Sequence, residues 1–177
     1  MKKIVLTFGL ISGAVLSAMM LLTLPMMDRI GFKNAEILGY STMVAAFLLI
    51  FFGVRSYREN VAGGTLSFGR AFTVGLLIML VASACYVVTW EIVYFKIAPD
   101  FADKFAAYQI ERVKASGASP ETVEATARQM REFKRLYDMP LVNAAFTFLE
   151  PLPIGLPMTL LTAAVLRTKR SRAVAAV

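Results

Sequence analysis

The chain has no histidine and a single cysteine, Cys85. Without histidine there is no His-ligated haem, no His-bound zinc and no Ser-His or Cys-His nucleophile pair; with one cysteine there is no intramolecular disulfide. The apolar blocks contain no aspartate either, which excludes an intramembrane aspartyl dyad. Cys85 lies inside an apolar run, where a thiol serves as a small buried hydrophobe. What remains for catalysis is Glu, Arg, Tyr and Ser at no diagnostic spacing. The expectation is therefore a protein with no cofactor and no metal site that is not an enzyme.

Charge is also scarce, at 18% of the residues, whereas hydrophobic residues make up 58%. A soluble domain is nearer half apolar. The excess is concentrated in blocks. Ile4 to Met27 is uncharged over 24 residues, roughly 36 Å as a helix and enough to cross a hydrocarbon core of about 30 Å. Three further blocks follow, and the composition predicts four spans at approximately 4–27, 36–55, 69–96 and 141–166. Met1-Lys2-Lys3 before an apolar run also fits a secretory signal. Leu16 suits a cleavage site poorly and the run continues past Ala18, so the segment reads as a retained anchor.

The net charge of +7 is distributed by side. Lys2 and Lys3 precede the first span, Arg55, Arg58 and Arg70 lie between the second and third, and Arg167, Lys169, Arg170 and Arg172 follow the fourth. Placing both termini in the cytoplasm puts all of these inside. The segments assigned outside are balanced: Asp28 and Glu36 against Arg29 and Lys33, and seven acidic against seven basic residues from Pro99 to Asp138. The basic balance is a topology signal, and the tail 167–177 is a stop-transfer cluster for anionic headgroups. Nucleic-acid binding is not expected.

Gly9, Gly13 and Ser17 recur every four residues in the first span. Such a stripe lets helix backbones approach closely, either inside one bundle or as the seam of a homo-oligomer. Between the second and third spans, Gly63-Gly64 predicts a turn and Ser67 a helix cap. Trp90, Tyr94 and Phe95 read as an interfacial aromatic belt, with Glu91 a wet carboxylate beside Lys96.

Residues 99–138 have the pattern of an amphipathic helical hairpin outside the membrane. Gly117 stops the first helix, and Ser119-Pro120-Glu121 opens the second with a cap, a first-turn proline and a first-turn acid. The apolar face includes Phe101, Phe105 and Tyr108 on one helix and Met130, Phe133 and Tyr137 on the other. It must be covered by the bundle, the lipid bilayer or a partner.

The fourth block contains TFLEPLPIGLP, from Thr147 to Pro157, with Glu150 followed by Pro151, Pro153 and Pro157. Counted from Arg167, Glu150 lies roughly 24 Å along the helix, in the outer half of the bilayer. Each proline lacks an N–H, so the carbonyls of Thr147, Leu149 and Pro153 lose their usual partners and must face protein, water or a bound species. The segment is either a fixed kink with Glu150 hydrogen-bonded in the bundle, or a site for a small cation, a proton or a lipid headgroup on a broken helix.

The order of these features resembles a bacterial membrane-protein family catalogued as domain of unknown function 4199. The resemblance runs through FLLIFFGVRSYREN, GGTLSFGRAFTVGLLI, YFKIAPDF and YDMPLVNAAFTFLEPLPIGLPMTLLTAAVL, nearly the whole chain. It implies a multi-span inner-membrane protein and carries no activity to transfer. The expectation is a single all-α membrane domain over 1–177, a four-helix bundle bearing the outer hairpin. Its first functional reading is a structural or accessory protein docking an envelope partner through that hairpin. The second is a small transporter or lipid-handling protein with its site at Glu150, in which Glu91 also takes part.

Overall fold

The computed structural model describes residues 1–168. Lys169, Arg170 and Arg172 of the expected basic cluster lie outside the described residues. Among those described the chain is all-helical, with no strand. Helix α1 (Lys2–Thr23) passes through a short 3-10 turn, Leu24–Met26, into α2 (Met27–Asn60). Helix α3 (Phe68–Ile92) continues as a π turn, Val93–Ile97. Then come α4 (Phe101–Ala115), α5 (Pro120–Tyr137), α6 (Pro140–Leu149) and α7 (Leu152–Leu166).

Among the described residues three helical stretches are long and apolar enough to cross a membrane: Lys2–Asn60, Phe68–Ile97 and Pro140–Leu166. The first, at 59 residues, is not straight. Ser12 Oγ donates to the Ala46 carbonyl at 3.1 Å, and Gly53 lies against Phe8, so α2 returns along α1. The reversal falls at Pro25 and at Gly31, whose φ of 76° and ψ of 156° are open to glycine alone among ordinary residues.

Local signals place the other ends. Gly63 and Gly64 both have positive φ, and Ser67 Oγ accepts from the Arg70 N–H to start α3. Gly117, also at positive φ, stops α4; Ser119 Oγ then accepts from the Thr122 N–H, with Pro120 opening α5. Helices α4 and α5 lie together through the Phe105 and Phe133 rings, 6.2 Å apart, and the Lys134–Asp103 ion pair at 2.6 Å.

Close approach holds the long helices together, as lipid supplies no hydrophobic driving force between them. A Cβ on Gly9 or Gly13 of α1 would come within 2.6 Å of the Cβ of Val81 or Cys85 on α3. Ser17 continues the stripe by sharing a hydrogen bond of 2.7 Å with Thr89. Within the chain, then, the stripe packs α1 on α3. Gly75 meets Thr159 and Gly155 meets Met79, which packs α7 on α3 in the same way. Outward faces are apolar: Leu141, Val165, Leu22 and Leu161 are all more than 60% exposed, a pattern water would disfavour and lipid would not.

The two ends differ. Thr168 N–H donates to the Leu66 carbonyl at 2.8 Å, tying the close of α7 to the α2–α3 loop. Phe8 of α1 lies against Gly53, one turn before Tyr57 near the end of α2, so the start of α1 belongs to the same end, which carries Lys2, Lys3, Arg55, Arg58 and Arg167. The opposite end is aromatic, built on Trp90, Tyr94 and Phe101.

Trp90 and Tyr94 do not form the lipid-facing belt expected from sequence. Both are buried; Trp90 Nε1 donates to the Tyr137 hydroxyl at 2.9 Å, and the Tyr94 hydroxyl donates to Asp138 Oδ1 at 2.6 Å. Their polar tips bond across to α5 and its C-cap, so these side chains hold the end of α3 to α5.

Candidate functional site

Glu150 stands at the joint between α6 and α7. Helix α6 ends at Leu149, α7 begins at Leu152, and Glu150 with Pro151 links them. Pro151 cannot donate to the Thr147 carbonyl, which interrupts the ladder. The Glu150 N–H still donates to the Phe146 carbonyl at 3.2 Å, and the Pro151 carbonyl accepts from Ile154 and Gly155 at 3.3 and 2.8 Å. The helix is thus interrupted without a loop.

The Glu150 side chain reaches α3, where the Tyr86 hydroxyl donates to Oε2 at 3.0 Å. Beside this pair is a cavity of about 350 Å³, bounded by the end of α1, the first half of α2, the last turns of α3, and α4 and α5. Glu150 lines it and keeps accessible surface. A second carboxylate, Glu36 of α2, also lines it. Tyr40, one helical turn beyond Glu36, shares its face.

The rest of the wall is mostly aromatic and thioether: Phe32, Trp90, Phe101, Phe105, Tyr108, Phe133 and Tyr137, with Met19, Met20, Met27 and Met43. Phe32 organises one side, stacked on Tyr108 at 5.1 Å and edge-on to Phe101 and Phe105 at 5.9 Å each. Trp90 meets Phe101 edge-on at 4.8 Å. Among the described residues no lysine or arginine lines the cavity.

The family described as "Protein of unknown function (DUF4199)" matches residues 7–168. The chain belongs to that family. No curated protein and no solved structure gives a significant match. For this DUF4199 chain, the site has to be read from its own side chains.

Of the residues singled out around Glu150, only Glu150 itself lines the cavity. Thr147 is buried, its hydroxyl donating to the Asn143 carbonyl at 2.9 Å, and Pro151 is buried. Pro153 and Pro157 are exposed, carried about 4.5 and 10.5 Å further along the axis by the rise of 1.5 Å per residue. Beside the carboxylate stand the Tyr86 hydroxyl and the cavity.

Glu91 stands apart from this group. Its Oε1 is buried with no hydrogen-bond partner among the described residues, and Lys96 does not pair with it. Against the expectation of a wet carboxylate, one oxygen is buried while the residue as a whole keeps partial exposure. Nothing in the structure explains why a carboxylate stands there.

The hairpin face turns inward. Phe101, Phe105, Tyr108, Phe133 and Tyr137 all line the cavity, and Met130 is half-buried. Sequence reasoning missed Glu36, Tyr40 and Phe32. Their only sign is the short run GFKNAEILGY, in which Gly31 breaks the helix and Glu36 and Tyr40 then fall four apart.

Proposed function

We propose that this chain is a ligand-binding protein of the bacterial inner membrane, a small transporter or lipid-handling protein whose site is the cavity at Glu150. In this reading it crosses the bilayer four times as a helical bundle, both termini are cytoplasmic, and α4 and α5 cap the outer end. The clustering of Lys2, Lys3, Arg55, Arg58 and Arg167 at one end supports the orientation through the preference of basic residues for the cytoplasmic side. The chemistry is binding rather than catalysis, in keeping with the absence of histidine.

One observation carries the proposal: a cavity of about 350 Å³ that exposes a carboxylate at a helix break. That volume lies at the small end of ligand sites, which span about 300–1,000 Å³. Broken helices with a charged group inside the bilayer are how membrane carriers hold polar substrates. Docking of an envelope partner is the weaker reading, because the apolar face such a partner would need is spent on the cavity wall.

The test is native purification in mild detergent with mass spectrometry of what stays bound. Gly39 lines the cavity and has no atom within 4 Å of the place its Cβ would occupy, so Gly39→Trp fills the space without touching a charge. Wild type should retain an amphiphile that Gly39→Trp lacks, at equal protein yield. An identical bound complement in both proteins rules the reading out.

A further inference from the structure

We infer that the ligand of this cavity is an organic ammonium ion carrying an apolar or aromatic group, held between Glu36 and Glu150 against the faces of tyrosine and tryptophan. The inference rests on the cavity being a ligand site and adds the chemical class of what fills it.

The charge arrangement selects the sign. Two carboxylates line one half-open cavity, and among the described residues no lysine or arginine joins them. The Tyr86 hydroxyl satisfies one oxygen of Glu150, at 3.0 Å, and leaves both negative charges unneutralised. Like charges sharing a site of low polarity repel, and a cation between them removes that repulsion. An anion would add to it, and a neutral ligand would leave it in place.

The wall selects the kind of cation. A bare metal ion needs a tight shell of oxygen, nitrogen or sulfur ligands, and no group of three or more His, Cys, Asp or Glu side chains stands together among the described residues. The volume of about 350 Å³ is also far more than one ion or one proton uses. Aromatic faces attract ammonium groups through their quadrupole, tryptophan and tyrosine most strongly, and recognition of quaternary ammonium by aromatic cages works this way. Here Tyr40, Tyr86, Trp90 and Tyr108 stand with Phe32 around the same space. The methionines Met19, Met20, Met27 and Met43 supply adaptable apolar surface for a tail.

An ammonium of this kind has two sources near a membrane: the amine headgroup of a lipid, or a free amphiphilic cation. Both present the same chemistry to Glu36 and Glu150, and the experiment separates them.

The probe is benzyltrimethylammonium, with neopentylbenzene as its uncharged counterpart of the same shape, titrated into full-length protein in nanodiscs. The fluorescence of Trp90, the chain's single tryptophan and part of the wall, reports binding. The cation should bind about tenfold or more tighter than neopentylbenzene. Glu150→Gln should weaken the cation by about tenfold while leaving neopentylbenzene unchanged. Glu36→Gln, at an exposed position, should do the same and serves if Glu150→Gln folds poorly.

Equal binding of the two probes, or no loss in either variant, overturns the ammonium assignment while leaving the cavity a ligand site. Binding of neither probe by wild type, together with no effect of Gly39→Trp on the co-purified complement, overturns the site itself. Repeating the titration in phosphatidylethanolamine and in phosphatidylglycerol nanodiscs separates the sources. Competition only in phosphatidylethanolamine assigns a lipid amine; undiminished affinity in both assigns a free cation.

Discussion

Replacing Gly13 with alanine tests the contact on which the long helices depend. The new Cβ would sit 2.6 Å from the Cys85 Cβ, 2.9 Å from its Sγ and 3.4 Å from the Ala82 Cα. Carbon atoms in comfortable contact are about 3.5–4.0 Å apart, so the overlap with Cys85 Cβ is about 1 Å. The sulfur can rotate away; the Cβ is fixed to the α3 backbone and cannot. Helices α1 and α3 must therefore separate, and overpacking of this kind costs about 1–3 kcal/mol.

Gly39→Ala is the matched control, since it adds the same methyl in a helix where nothing lies within 4 Å. It should be stabilising by about 0.5–1 kcal/mol, the usual gain on relieving a helical glycine. Equilibrium unfolding in mixed micelles of dodecyl sulfate, followed through Trp90, reads both. Adding Cys85→Gly to Gly13→Ala removes the clashing Cβ, so the double mutant should show a favourable coupling. Equal stability of Gly13→Ala and Gly39→Ala, or no relief from Cys85→Gly, would refute the close α1–α3 contact.

Gly31→Ala should lose about 1–3 kcal/mol by the same unfolding measurement, from its backbone angles alone, because no neighbour crowds the site; an unchanged midpoint would mean that the reversal does not rest there. Tyr86→Phe removes the hydroxyl bound to Glu150 and should cost about 1.5 kcal/mol, the low end for a bond to a charged group, since Glu150 stays accessible. A stability equal to wild type would show that the bond is not formed in the bilayer. Lys104 joins Asp100 of its own turn at 3.1 Å to Asp28 of α2 at 3.5 Å. Its partner Asp100 raises the lysine pKa, and Lys104 in turn lowers that of Asp100. The lysine contribution is therefore present below its unfolded pKa and lost as pH rises through the raised folded value. The Asp100 contribution is present above its unfolded pKa and lost as pH falls through the lowered one. A spin-label distance between α4 and the first turn of α2 should stay flat across neutral pH and lengthen as pH rises through the raised lysine value, because Lys104 alone reaches Asp28; a transition near neutrality would contradict the assignment.

What was legible in the sequence was local. Ser67, Ser119, Pro120 and Gly117 act within one turn of themselves, and each is found capping or stopping the helix it was expected to. Glu150 was conspicuous because a lone carboxylate in an apolar block has no ordinary reason to be there. The second carboxylate of the cavity was not legible. Glu36 sits in a charge-balanced stretch and comes to the cavity only because the chain reverses at Pro25 and Gly31. The aromatic face of α4 and α5 was readable as apolar, but periodicity carries no information on what covers a face. Phe32, which meets three rings of α4, comes from an element nearly 70 residues earlier. Trp90 and Tyr94 were misplaced for the same reason: their depth is a matter of counting, whereas their direction depends on Tyr137 and Asp138.

The most direct test is to locate the cation. Crystals of the protein in a lipidic phase, soaked with para-bromobenzyltrimethylammonium, place the ligand through the anomalous signal of bromine. The account predicts a bromine peak inside the cavity bounded by Phe32, Tyr86 and Trp90, with the ammonium group between Glu36 and Glu150, and its loss in Glu150→Gln. An empty cavity at a concentration that saturates binding, or a peak confined to the outer lipid-facing surface, would contradict it.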